Sequence, residues 1–437
     1  MQKNNMKKLI LFSLICLLSI ATRAQDSGLK GAWTGKLNVY GNELTLVFHF
    51  NGEDCTLDSP DQGVKGVPAK LERTITGIKV AVPSINASYE GVNMGESIMG
   101  TFKQHGQSFP LTIKPGLLKR NRPQTPAMPY PYQTQEVSFN NGDAILKGTL
   151  VIPENASRQT PVLLMVTGSG LQNRDEEIFE HKPFAVIADA LARAGIATLR
   201  YDDRGFGEST GDVVNCTTED LKNDAFAGVQ LLRSRFDKVG VIGHSEGGTI
   251  ALILAAEKKV DFIVSLAGMA VSGKETLLWQ NRLALAAANI PSETIDLYCN
   301  ALDEVFNACI SGTAMPSTTQ YNLPTSLAQN LTVVTKQLQT PYMKQFLTLD
   351  SRPLLGNITC PVLALNGTKD TQVEPESNLG ALRSGLQKNA KNKLEAIEGV
   401  NHLFQHCKTG MATEYGNIEE TIAPEVLEKM VYWLSNL

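Results

Sequence analysis

Long apolar runs are scarce in this 437-residue chain. The most hydrophobic stretch, Leu9 to Ile20, is 12 residues long, too short to cross a bilayer as a helix, and nothing later qualifies. An excess of basic charge is missing too. Lys and Arg number 40 against 44 Asp and Glu, a formal charge of −4 without a basic cluster, which excludes nucleic acid and anionic membrane surfaces as partners. There is no HExxH and no paired CxxC, so no metal site is expected. Cysteines number seven and their spacing does not resemble a small stapled scaffold. Cys299 and Cys309 are the nearest candidates for a disulfide, and unpaired buried thiols fit at least as well. No internal repeat or low-complexity tract is evident, and roughly ninety β-rich residues at the N-terminal side cannot build a propeller.

What is present starts with a leader. Lys3, Lys7 and Lys8 precede the apolar run, and Thr22-Arg23-Ala24 follows it, the layout of a secretory signal peptide cut after Ala24. Cys16 would suit a lipid anchor only with a small residue before it, and Ile15 is bulky. The expectation is an exported, periplasmic or secreted protein with no stable membrane insertion after cleavage. Losing residues 1–24 removes four basic residues and no acids, taking the charge from −4 to −8.

The remainder divides by pattern. Residues 25–113 alternate short β-rich runs, such as Leu44 to Phe50 and Ile78 to Val82, with Gly, Asn and Asp turns. That spacing predicts a small antiparallel β-barrel or sandwich. Residues 114–135 hold Pro115, Pro123, Pro126, Pro129 and Pro131 and read as a semi-rigid linker. From 136 to 437, apolar runs near 137–139, 145–152, 162–166, 196–201, 239–242, 262–267, 362–366 and 394–397 alternate with helical stretches, giving βαβ units after an initial hairpin. The break in rhythm at about 271–355 is helical and too long for a loop, so it is expected to be an inserted cap.

The most informative stretch is Gly243-His244-Ser245-Glu246-Gly247. With an apolar strand before it and an alanine-rich helix after it, this G-x-S-x-G is a nucleophile elbow, a strained strand-to-helix turn that exposes the serine hydroxyl. Both glycines are expected where strand and helix backbones approach too closely for a Cβ. A serine needs a base, and the base needs an orienting group. Chain order for such an elbow is nucleophile, acid, histidine. Asp370 follows the strand Val362–Asn366 and is the expected acid, with Glu374 and then Asp350 as competitors. His402 follows the last strand and is the expected base, with His406 next. His244, inside the elbow, is expected to pack beneath the serine. Oxyanion donors are expected from the N–H of Glu246 and from the loop after the third strand, Thr167-Gly168-Ser169-Gly170-Leu171, through Ser169 or Gly170. Arg174 is read as pairing internally with its acidic neighbours rather than clamping a substrate, and Asp202-Asp203-Arg204-Gly205 as a scaffold loop. Leu277, Leu278, Trp279 and Leu283 could wall the acyl group, although residues at helical spacing are more often plain core.

Together, Gly168-Ser169-Gly170, Asn173-Arg174-Asp175-Glu176, His181-Lys182-Pro183-Phe184, Asp202-Asp203-Arg204-Gly205, Gly243–Gly248 and Asn366-Gly367-Thr368-Lys369-Asp370 resemble the α/β-hydrolase superfamily. More narrowly, they are similar to secreted bacterial serine esterases of the dienelactone-hydrolase group. The resemblance covers about residues 136–437. It implies an eight-stranded, mostly parallel sheet with a helical cap, a Ser245–Asp370–His402 triad, and hydrolysis of small-molecule, glycan or lipid esters without a cofactor. Where many relatives carry His-Gly in the oxyanion loop, this chain has Thr167-Gly168. Gly31-Ala32-Trp33 and Leu57–Gly63 resemble the lipocalin-type β-domains attached to some exported hydrolases. The competing readings are a serine peptidase or amidase on the same fold, and a catalytically silent binding protein.

Overall fold

The computed structural model describes residues 29–39, 42–62, 64–104, 106–117 and 120–437; the expected signal peptide lies outside them. The described residues form two compact units, one on either side of residue 118.

The first unit is a closed barrel of eight strands in sequential order: β1 (Gly31–Val39), β2 (Asn42–Asn51), β3 (Asp54–Ser59), β4 (Val64–Arg73), β5 (Gly77–Val82), β6 (Ala87–Asn93), β7 (Ile98–Gln104) and β8 (Gln107–Pro115). Of the two expected forms, barrel and sandwich, it takes the barrel, because β1 pairs with both β2 and β8. The two-residue period is plain in β5, where Ile78, Val80 and Val82 are buried and Lys79 and Ala81 are exposed. Trp33, Phe48, Phe50 and Tyr89 are among the residues filling the interior. The buried Tyr89 hydroxyl donates to the carbonyls of Ile98 (2.9 Å) and Leu111 (3.2 Å), so its polar end is satisfied.

The second unit is an eight-stranded sheet flanked by helices. Its strands are β9 (Tyr132–Asn141), β10 (Ala144–Pro153), β11 (Val162–Val166), β12 (Ala197–Tyr201), β13 (Val239–His244), β14 (Phe262–Leu266), β15 (Val362–Gly367) and β16 (Lys393–Ile397), in the order β16-β15-β14-β13-β11-β12-β10-β9. β9 and β10 form the hairpin, β10 runs antiparallel to β12, and every other pair is parallel. β11, β13, β14 and β15 are buried along their whole length, as strands covered on both faces must be. Helices α1 (Pro183–Arg193), α2 (Thr218–Arg233) and α3 (Glu246–Ala256) alternate with the strands. After α3 come α4 (Gly273–Ala287), α5 (Ser292–Ser311), α6 (Thr325–Gln337), α7 (Pro341–Thr348), α8 (Pro375–Gly385), α9 (Ala412–Tyr415) and α10 (Pro424–Ser435). One face of the sheet is covered by apolar residues of α2, α3 and α8, including Val229, Leu252 and Leu382. The other face is covered by α1 and α10, including Phe184, Met430 and Trp433.

Helices α4 to α7 form the inserted segment, with a core of their own around Tyr298, Leu302, Phe306 and Leu331. Ser272 and Glu275 close a capping box on α4, and the Thr340 side chain caps α7 by accepting from the Met343 amide. Residues of the proline-rich stretch are tied into the second unit. Arg122 donates to the carbonyls of Phe179 (2.8 Å), Ile418 (2.8 Å) and Gly416 (2.9 Å), and Gln124 donates to that of Ile422 (2.7 Å).

Cys299 and Cys309 do not pair. Both lie on α5, ten residues apart, and the six cysteines among the described residues are free thiols. A helix rises about 1.5 Å per residue, so ten residues separate the two by about 15 Å, beyond any disulfide's reach. Among the described residues, no helix is long and apolar enough to cross a membrane.

Candidate active site

β13 ends at His244 and α3 begins at Glu246, so Ser245 alone makes the turn. It does so at φ 54°, ψ −120°, a conformation that costs a non-glycine residue about 1–3 kcal/mol and persists only where its surroundings enforce it. A Cβ on Gly243 would lie 1.9 Å from the carbonyl oxygen of Gly247, which is why glycine stands there. The Ser245 amide donates to the Leu266 carbonyl (2.8 Å), fastening the turn to the end of β14.

Asp370 and His402 leave the ends of β15 and β16 and meet beside this turn. His402 Nδ1 and Asp370 Oδ2 are 2.8 Å apart. The other carboxylate oxygen accepts from the amides of Gln372 (2.7 Å) and Val373 (2.9 Å). Asp370 is 4 % exposed and His402 3 %, so the pair is shielded from water and its geometry held on both sides. Asn401 shapes the loop that carries His402 by accepting from the amides of Leu403 and Gln405 (3.0 Å each). The competitors lie elsewhere. Glu374 occupies the N-cap position of α8 and accepts from Ser377, Asp350 pairs with Arg352, and half-exposed His406 pairs with Glu420 and Glu425.

Ser245 and His402 line one cavity of about 300 Å³. Its walls include Gly168, Ser169, Gln172 and Glu176 from the loops after β11, and Leu277, Gln280, Tyr342, Met343 and Phe346 from the inserted helices. Ser169 faces this cavity, whereas Gly170, at φ 88°, is not among its lining residues. Glu246 is the first residue of α3, and a first-turn amide has no acceptor within its own helix.

The loop after β11 is held from behind by Asp203. This buried carboxyl group accepts from the Thr167 hydroxyl (2.8 Å) and the Gln172 amide (2.8 Å). Burial pushes its pKa up to about 8 in spite of those two bonds. Thr167 is thus the loop's tether. Arg174 is internally paired, but not with its sequence neighbours: it meets Asp202 (2.8 Å), Glu136 (2.5 Å) and Glu208 (2.5 Å). Arg204 makes two bonds to Asp224 (2.7 Å each), so Asp202-Asp203-Arg204 is a scaffold.

Of the four expected wall residues only Leu277 lines the cavity. Leu278 packs into the inserted helices' own core, and Trp279 lines a different cavity beside Glu374. The wall comes instead from α7, whose Tyr342, Met343 and Phe346 no motif singles out. The Tyr342 hydroxyl donates to Glu246 Oε2, and the Thr218 hydroxyl donates to Glu246 Oε1 at 2.6 Å. His244 is buried, with Glu176 and the His402 carbonyl as its partners. Among the described residues, no group of three or more His, Cys, Asp or Glu side chains could hold a metal ion.

The parallel sheet, the elbow at the carboxyl end of β13 and the two loops converging on it define an α/β hydrolase. The chain belongs to the S15 family described as X-Pro dipeptidyl-peptidase, whose profile matches residues 142–406. It is similar to the esterase EstD of Thermotoga maritima, 28 % identical over 312 residues, covering 69 % of this chain and 68 % of the relative. Among solved structures it is similar to a proline iminopeptidase of Mycobacterium smegmatis (16 % identity, TM-score 0.44, 69 % of this chain and 98 % of that one). It is also similar to a dienelactone hydrolase of Anabaena variabilis (19 %, TM-score 0.41, 70 % and 99 %).

Proposed function

We propose that the protein is a serine hydrolase that cleaves carboxylic esters through an acyl-enzyme. The observation that carries this reading is the buried Asp370–His402 pair, 2.8 Å apart, whose histidine lines the same cavity as a serine held at φ 54°. His402 takes the Ser245 proton as Oγ attacks the ester carbonyl, and Asp370 fixes the imidazole tautomer and stabilises the cation that forms. The amides of Glu246 and Ser169 receive the oxyanion. His402 then protonates the departing alkoxide, and a water that it deprotonates releases the acid.

The ester preference rests on the Thermotoga relative, named as an esterase, and on the cavity wall. An X-Pro dipeptide carries an N-terminal ammonium, which calls for a facing carboxylate. Among the described residues lining the cavity Glu176 is the sole carboxylate, and its Oε1 already accepts from Gly168 and His244. The family's description favours the second reading, a peptidase.

Fluorophosphonate labelling tests the class: an unlabelled, folded wild type excludes a serine hydrolase and leaves a silent binding protein, and labelling that survives Ser245→Ala moves the nucleophile elsewhere. Comparing p-nitrophenyl esters of graded chain length with X-Pro anilides tests the substrate, and faster anilide turnover overturns the ester reading. On composition alone, residues 1–24 are proposed as an export signal and the barrel as a lipocalin-type domain. A mature N-terminus at Gln25 supports export, and a retained leader refutes it.

A further inference from the structure

His244 occupies the variable position of the elbow, and its partners are unusual. Nδ1 lies 2.9 Å from Glu176 Oε1, and Nε2 lies 2.9 Å from the backbone carbonyl oxygen of His402. A carboxylate and a carbonyl can only accept, so each ring nitrogen must supply a hydrogen, and a neutral imidazole has one. The His244–Glu176 couple therefore holds one proton more than a neutral histidine beside a carboxylate. The Gly168 amide donates to the same Oε1 at 2.9 Å. Glu176 itself sits at φ 52°, in the left-handed region that non-glycine residues rarely occupy, and outliers of this kind persist only where their surroundings over-determine them and cluster at active sites. One carboxylate oxygen thus ties the β11 loop to the end of β13, and His244 carries the tie on to the loop that bears His402.

We propose that His244 and Glu176 form a second, buried histidine–carboxylate couple that positions the His402 loop and the β11 loop for catalysis, and that loss of its extra proton uncouples them. The inference rests on the serine-hydrolase reading. Neither residue is asked to touch the substrate; both act through His402 and Gly168.

The ionisable groups facing His244 are Glu176, Asp370 and the His402 ring, whose centroid lies 4.7 Å from its own. Asp203 lies behind Glu176 and interacts with its charge. Burial opposes a charge on His244, but the Glu176 carboxylate, the bonds to it and to the His402 carbonyl, and Asp370 outweigh burial and raise its pKa above the ordinary histidine value. The shift favours the protonated ring that the two hydrogen bonds require, and the proton is lost above the ordinary histidine range.

The direct test is side-chain 15N NMR on the full-length protein labelled at its six histidines, with His244 assigned by the signal lost in His244→Gln. Both His244 nitrogens are expected to be protonated at pH 7. A single protonated nitrogen, with no proton on Glu176, overturns the proposal even in a protein that fluorophosphonate labels normally. Glu176→Gln keeps the shape and an acceptor for Gly168 but removes the charge. It is expected to lower kcat by about 10²-fold, the scale of a misplaced catalytic group, with KM unchanged within about threefold. The alkaline limb of its pH profile should move to lower pH, and Glu176→Asp should restore part of the rate. Full kcat in Glu176→Gln overturns the positioning role. If that variant does not fold, the wild type decides the matter: the alkaline fall in kcat must track the loss of the His244 proton seen by NMR, and a fall elsewhere refutes the coupling. A wild type that is not labelled at all removes the serine-hydrolase reading instead, whatever the His244 signals show.

Discussion

A Cβ on Gly247 would sit 2.1 Å from the carbonyl oxygen of Val166, so the elbow helix meets the neighbouring strand backbone to backbone. Neither side can yield: Val166 ends a strand paired with both β12 and β13, and Gly247 is in the first turn of α3. Gly247→Ala is therefore expected to destabilise the second unit by about 3 kcal/mol or more and to abolish fluorophosphonate labelling. Gly380→Ala is the contrast. It sits within α8 with nothing within 4 Å of its added methyl, and should gain about 0.5–1 kcal/mol. Urea unfolding of the two variants checks both signs.

Asp370→Asn should fold as the wild type does, because Asn can still accept from the Gln372 and Val373 amides. Its NH₂ would then face His402 Nδ1 and impose the wrong tautomer. The expected loss is about 10⁴-fold in kcat, the scale for this change in a serine triad, with the melting temperature nearly unchanged. Glu374→Gln, at the competing carboxylate, should keep its rate. Steady-state hydrolysis of a short p-nitrophenyl ester distinguishes them.

Much of this site was legible in the chain. Apolar runs mark all eight strands of the second unit, and the elbow, Asp370 and His402 each follow one. The wall of the cavity was not legible, since helical spacing shows that one face of α4 is apolar but not what it packs against. Leu278 faces its own bundle, and α7 supplies the residues over Ser245. Glu176 was hidden for another reason: in Asn173-Arg174-Asp175-Glu176 it reads as an acidic neighbour for Arg174, and only tertiary contacts bring it to His244. Arg174 likewise found partners 28 to 38 residues away. Barrel and sandwich share the same strand period, so only the pairing of β1 with β8 distinguishes them.

Tyr342 and Thr218 converge on the Glu246 carboxylate from α7 and α2, fastening the inserted helices to the residue after the nucleophile. Glu246 is 1 % exposed, and a buried acceptor that loses a donor costs about 1–3 kcal/mol. Tyr342→Phe is expected to lose that much stability and to raise KM by about tenfold as the wall over Ser245 loosens. Thr218→Val removes the other donor, and the double variant should be non-additive by about 0.5 kcal/mol or more, since the pair shares one carboxylate. Strict additivity in a urea-unfolding cycle would mean that the two hydroxyls act independently.

Asp203 makes a prediction about pH. Its native pKa is pushed up to about 8 by burial, against about 3.9 in an unfolded chain. The native state therefore binds the extra proton between these values, and stability falls as pH rises through that window, by at most about 1.4 kcal/mol per pH unit. His181 acts in the opposite sense. Burial is the main cause of its lowered pKa of about 4, so it adds stability as pH rises from about 4 to its unfolded value near 6.5. The two slopes oppose each other below pH 6.5, and above it the Asp203 slope continues, joined by that of His244, whose raised pKa also costs stability as its proton is lost. Asp203→Asn isolates one group: relative to wild type it should become progressively more stable as pH rises to about 8, and the difference should then level off. Urea midpoints of both proteins from pH 5 to 9 give that difference directly. A difference that stays flat would mean that Asp203 is ionised throughout, and that the Thr167 and Gln172 bonds outweigh burial in setting its charge.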